Sequence, residues 1–181
     1  GVQTCALPIC SLTLLFLIKL IIDIKNFKNS FYNPVQGSLF ALMPVSTLLA
    51  IALYAPNHPE HNNLIIVATI IALIFQFITA WKMVEMLSSG KMPAELITPA
   101  LYVPVVPGGL VGGMALNAIG FSGFGYLLWG MGVGAWALLE MRILSHLFKG
   151  PLPEPIRATI GIEMAPAAVS TLTAIALWPS I

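Results

Sequence analysis

Of the seven acidic residues in this 181-residue chain, Glu163 lies within an apolar run, "RATIGIEMAPAAV", six residues after Arg157 and three before Pro166. A carboxylate among apolar neighbours either carries function or is held by a partner that neutralises it. Six residues of helix rise about 9 Å, and positions i and i+3 are neighbours, so Glu163 belongs to the face of Pro166. Three readings stay open: a polar pore-lining or gating group, a structural acid paired with a basic residue or backbone, and an interfacial residue reaching for water. Glu140, two residues before Arg142, reads as a structural ion-pair or capping partner. Gln76 and Thr79 read as interhelical hydrogen-bonding groups. "HPEH" (58–61) has the flavour of a metal site, but it stands in a short Asn- and Pro-rich connection, where a solvated loop is the simpler account. Cys5 and Cys10 have no His nearby, so no metal site is expected from them. No Ser/His/Asp or Cys/His set can be assembled inside the apolar runs, which speaks against a hydrolase. No Gly-rich phosphate loop is present either, so neither a catalytic residue nor a cofactor is expected.

The elements that must position these groups are dictated by composition. Hydrophobic residues make up 58% of the chain, charged residues 8%, and the mean hydropathy is +0.92. An ordinary soluble domain carries about 25% charged residues. The fold class expected is an all-α polytopic membrane protein with the lipid bilayer as its surroundings. A net charge of +1 leaves no basic patch for nucleic acid. Six helical segments are expected: Ser11 to about Ile24, Gly37 to Ala55, Asn62 to Leu87, Pro99 to Ile119, Gly123 to Phe148 and Ile156 to Trp178. They are uniformly apolar and do not alternate, which favours helices over barrel strands. Lys19, Lys25, Lys28, Lys82, Lys91, Arg142, Lys149 and Arg157 all fall on one side of the alternating topology. That side is expected to be cytoplasmic, with multi-pass insertion in the inner (plasma) membrane. Trp178 is placed as an interfacial aromatic on the other side.

The first ten residues, "GVQTCALPIC", differ in character from the apolar stretch "SLTLLFLIKL" after them. Back-translated, Gly1 to Ile9 can be written GGA GTT CAG ACG TGT GCT CTT CCG ATC, which resembles a common short-read sequencing adapter. The adapter's next base is T, with which every Cys codon begins. Residues 1–10 are therefore expected to be a translated adapter scar without stable packing, and 11–181 a partial transporter or channel domain, truncated at both ends.

Proline is the second pattern. Pro44 lies in the second segment, Pro104 and Pro107 in the fourth and Pro166 in the sixth, a recurrence of about 60 residues. The other three segments have none in their interiors. An interior proline removes a backbone hydrogen bond and kinks a helix, and the freed carbonyl needs protein or water rather than lipid. The proline-bearing helices are expected to form an inner ring around a conduit, with the others outside. Anion attraction is expected from polar backbone freed at the four prolines. "PGGLVGG" adds Gly108/Gly112 and Gly109/Gly113, and the fifth segment adds Gly130/Gly134. Such pairs let backbones approach closely, or leave a lumen open.

At "ITPALYVPVVPGGLVGGMALNAIGFSGFGYLLWGMGVGAWALLEMRILSHL" and "LPEPIRATIGIEMAPAAV" the chain resembles the tellurite-resistance/dicarboxylate transporter (TDT) family, relatives of plant guard-cell slow anion channels. The "TPxLYxPxV" and "RxTxGIxxAPA" elements carry the likeness, and "LFALMPVSTLLA" agrees less strictly. The resemblance implies ten helices in five hairpins around a pseudo-fivefold axis, with proline-kinked inner helices, assembled as a homotrimer. It implies passage of small inorganic or dicarboxylate anions by channel-like permeation, with proton-coupled malate-type carriage or sulfite/oxyanion export as alternatives. This chain would hold family helices two to seven. Pro44, Pro104, Pro107, Gly108, Gly112, Glu163 and Pro166 are then the pore-lining or kink candidates. The family's pore-plugging phenylalanine, on helix nine, has no counterpart here. A non-transporting membrane assembly subunit is the reading of another class.

Overall fold

The computed structural model describes residues 30–90 and 97–179, with Ser11, Leu14, Leu15, Ile18, Ile22, Asp23 and Asn26. The opening decapeptide, most of the first expected segment, and Lys19, Lys25, Lys28 and Lys91 lie outside the described residues. Among the described residues there is no strand, and five helices are long and apolar enough to cross a membrane: Gln36–Asn57, Pro59–Ser88, Pro99–Ala118, Ser122–Leu147 and Arg157–Leu177.

The α-helical parts are α1 (Pro34–Leu39), α2 (Leu42–Tyr54), α3 (Asn62–Ser88), α4 (Tyr102–Ala118), α5 (Ser122–Leu147) and α6 (Ala165–Leu177). α3 has 27 residues and no internal Gly or Pro to interrupt it. At 1.5 Å per residue it is about 40 Å long, more than a hydrocarbon core requires. α4 stops in a tight glycine cap. Gly120 adopts φ +89°, its N–H reaches Asn117 O at 3.0 Å, and the Phe121 N–H reaches Leu116 O at 2.8 Å. This paired arrangement satisfies the last carbonyls and turns the chain at once into α5.

The second, fourth and sixth spans are not uniform α-helix. Phe40 and Ala41 form a turn between α1 and α2. A 3₁₀ turn, Pro99–Leu101, precedes α4. Eleven residues, Glu154–Met164, run as 3₁₀ helix before α6. The α-helix expected from Ile156 therefore begins at Ala165. Pro153 just before that stretch, and Pro155, three β-branched isoleucines and Gly161 within it, all disfavour α-helix.

α4 is the hub. Within its span 78% is buried, against 11% for α5 and 28% for α3, and it packs on α2, α3, α5 and α6. Cross-contacts fix the directions. A Cβ on Gly108 would meet Gln76 and one on Gly112 would meet Leu73, so α3 and α4 are antiparallel. Tyr102 meets Glu163, and Asn117 donates to Ala176 O at 2.9 Å, so α4 and α6 are parallel. Residue Lys82 near the end of α3 meets Tyr32 before α1, and α2 shares a core with α4 through Leu48, Ile51, Val111 and Met114. α2, α4 and α6 thus start at one end of the bundle. The described basic residues Lys82, Arg142, Lys149 and Arg157 lie towards that end.

Candidate functional site

Each proline of α2, α4 and α6 stands where its missing N–H matters in a different way. Pro44 is the third residue of α2, Pro104 the third of α4 and Pro166 the second of α6. In a first turn the N–H has no intrahelical partner anyway, and proline's fixed φ suits the start of a helix. These three initiate helices inside apolar spans; they do not kink established ones. Pro107 alone lies inside an α-helix. The expectation that all four release a carbonyl is corrected accordingly: the one released within an α-helix is Val103 O, four residues before Pro107.

That carbonyl is not left unpaired. Gln76 of α3, only 4% exposed, places its amide Nε2 at 2.5 Å from Pro104 O and 3.4 Å from Val103 O. An amide NH₂ has two hydrogens, one for each carbonyl. The reach depends on Gly108, because a Cβ there would come within 2.5 Å of the Gln76 side chain. A Cβ on Gly112 would lie 3.0 Å from Leu73 of α3 and 3.2 Å from Leu128 of α5. Gly108 and Gly112 therefore sit on the side of α4 turned to its neighbours α3 and α5, and Gly108 lines a groove of about 390 Å³ between those helices. Of the two readings open for these glycines, close approach is what their surroundings describe.

The tightest contact joins α4 to α5. A Cβ on Gly109 would lie 2.7 Å from Gly132 Cα and 2.7 Å from Leu128 O; one on Gly113 would lie 2.7 Å from Gly125 O. The partners on α5 are thus Gly125 and Gly132. Gly130 and Gly134, read as a packing pair from their spacing, have nothing within 4 Å.

A polar cluster lies where α4 begins. Tyr102 is fully buried. Its hydroxyl meets Glu140 Oε2 and lies 3.2 Å from Glu163 Oε1. Trp136 donates its indole N–H to the same Glu140 oxygen at 2.9 Å. Glu163 Oε2 is buried without a hydrogen-bond partner. No described Lys, Arg or His forms an ion pair with either carboxylate. Glu140 is therefore not the ion-pair partner expected from its neighbour Arg142. Residues i and i+2 point to different sides of a helix. Sequence reasoning missed Tyr102 as a site residue. Its signal was available: a tyrosine in the first turn of a buried span needs a partner for its hydroxyl. A tyrosine hydroxyl carries one hydrogen, so when both carboxylates touch it, one contact is donated by a carboxyl O–H.

At the opposite end, His58 and Glu60 pair at 2.9 Å beside Tyr54, whose ring stacks on His58 at 3.9 Å. Tyr54 and Glu60 are exposed and His58 is half-buried, and no group of three metal-ligating side chains occurs among the described residues. Trp178 packs on Tyr126 and Trp129, with ring centres 4.9 and 5.1 Å apart. Thr79 donates to Gln76 O at 2.8 Å, within its own helix. Its expected interhelical bond is replaced by this local one.

Comparison with known proteins reads the same chain independently. A family model described as "Voltage-dependent anion channel" matches residues 4–180. A curated relative, the "Tellurite resistance protein TehA homolog" of Haemophilus influenzae, is 31% identical over 157 residues, 86% of this chain and 47% of the relative. The chain thus spans about half the length of the relative it matches.

Proposed function

Because this chain belongs to the voltage-dependent anion channel family, we propose that the protein passes small anions across a membrane along the ring formed by α2, α4 and α6. The observation that carries this reading is the shared geometry of those helices. All three run parallel, and each starts with a proline in its first turn inside an apolar span. Helix N-termini present unpaired N–H groups and the positive end of the macrodipole. Discontinuous membrane helices use such ends towards anionic substrates. No Lys or Arg among the described residues stands mid-span to hold an anion tightly, which suits conduction, where an ion must leave as easily as it enters.

The finer reading comes from the resemblance. The complete protein would have ten helices in five hairpins, assemble as a homotrimer in the inner membrane, and keep its basic ends cytoplasmic. Tellurite-linked oxyanions, sulfite, chloride, nitrate and C4-dicarboxylates are the substrate classes.

The Tyr102 cluster favours a second reading, proton-coupled dicarboxylate carriage with Glu163 as the proton carrier. One substitution separates the two. In liposomes holding the full-length protein, Glu163→Gln should leave chloride or nitrate flux within about twofold of the unsubstituted value under channel-like passage. Under carriage it should abolish malate uptake driven by a pH gradient.

A further inference from the structure

We infer that Gln76 is a positioning residue for anion selectivity: it caps the proline break in α4 and neutralises carbonyl oxygens that would otherwise repel the permeating ion. The inference rests on the anion-passage reading and names a residue outside the inner ring that shapes it.

Three residues form one device. Pro107 has no N–H, so Val103 O loses its intrahelical donor. Gly108 has no side chain, so an outer helix can reach that stretch of backbone. Gln76 of α3 fills the space and offers its amide to Val103 O and Pro104 O at 3.4 and 2.5 Å. Position 108 must stay without a side chain, since a Cβ there would fall 2.5 Å from both Cγ and Nε2 of Gln76. Gln76 is nearly fully buried in an uninterrupted 27-residue helix, and its own Oε1 is buried without a hydrogen-bond partner. A carbonyl oxygen is the negative end of the peptide dipole. Val103 O, uncapped in a low-dielectric span, would add a negative potential to α4, and water cannot screen it there. The amide meets both from the α3 side. The gain is electrostatic and local, so its loss should change which ion passes before it changes whether the protein folds.

The test uses the full-length protein in liposomes, with a potassium chloride gradient and the reversal potential as readout. Gln76→Met keeps the volume and removes both donors. Its chloride-over-potassium permeability ratio should fall at least about fivefold at equal amounts of folded protein. Gln76→Glu should show the same fall at neutral pH. It should recover in part on acidification, when a carboxyl O–H can donate to one carbonyl, while Gln76→Met should not recover. Gly108→Ala should push the amide off and reproduce the loss, and combining it with Gln76→Met should add nothing further. Should Gln76→Met fail to fold, Gln76→Glu and Gly108→Ala carry the test. Unchanged selectivity in a folded Gln76→Met, or fully additive losses in the pair, would overturn the role of Gln76 alone. Absence of anion flux in the unsubstituted protein would overturn the transport reading and this role with it.

Discussion

Gly109→Val should separate α4 from α5. The new Cβ would lie 2.7 Å from Gly132 Cα and from Leu128 O, and both are backbone atoms that no rotamer change can move aside. The helices must part, and their whole seam goes with them: Gly113 against Gly125, and Gly132 against Leu110. Overpacking of a tight core costs about 1–3 kcal/mol where side chains can adjust, and more where two backbones collide. Purified full-length protein carrying Gly109→Val should therefore melt well below the unsubstituted protein or fail to assemble. Gly130→Val is the matched control on the facing helix. Nothing lies within 4 Å of its Cβ, and a change facing open space is worth about 0.5 kcal/mol or less. Equal melting of the two variants would refute the assignment of the seam.

Tyr102→Phe should cost about 1–3 kcal/mol, because it strips a buried hydroxyl from two carboxyl groups and leaves them facing each other without it. Glu140 would keep the Trp136 indole, 2.9 Å away. Glu163 would lose its contact with the hydroxyl, and its other oxygen already has no partner. Glu163→Gln in the Tyr102→Phe background should restore part of the loss, for an amide removes one charge and supplies a donor to Glu140. The same Gln in the unsubstituted background has no such deficit to repair. A double-mutant cycle on the melting temperature reads this coupling directly. Independent, additive effects would mean that Tyr102 and Glu163 do not share a proton-bearing contact.

How far the sequence leads is visible helix by helix. Asn62 to Leu87 and Gly123 to Phe148 agree with α3 and α5 to within a residue or so, because each is a long apolar run closed by polar or glycine-rich turns. The second and sixth spans were legible as spans, yet the second breaks at a turn between α1 and α2 and the sixth turns α-helical only at Ala165. Hydropathy measures length of apolar chain and is blind to whether that chain winds as 3₁₀ or α. The proline recurrence picks out α2, α4 and α6, each of which carries a proline in its first turn. The physical role differs because distance from a helix start, not presence in a span, decides whether a proline frees a carbonyl. Gln76 read correctly as an interhelical donor; its acceptors were implicit in Pro107, four positions after Val103. Glu140 was misread from its sequence neighbour, since the partners of a buried acid come from other helices. The choice of Gly125 and Gly132 over Gly130 and Gly134 depends on the rotation of α5, which an all-apolar helix does not encode in its pattern.

If α2, α4 and α6 line a path for anions, the full-length protein in a planar bilayer should carry current under a chloride gradient, and no measurement tests that path more directly. The current should reverse near the chloride equilibrium potential and persist when potassium is replaced by a large organic cation. No current at any voltage or pH, or a reversal that tracks the cation, would contradict it.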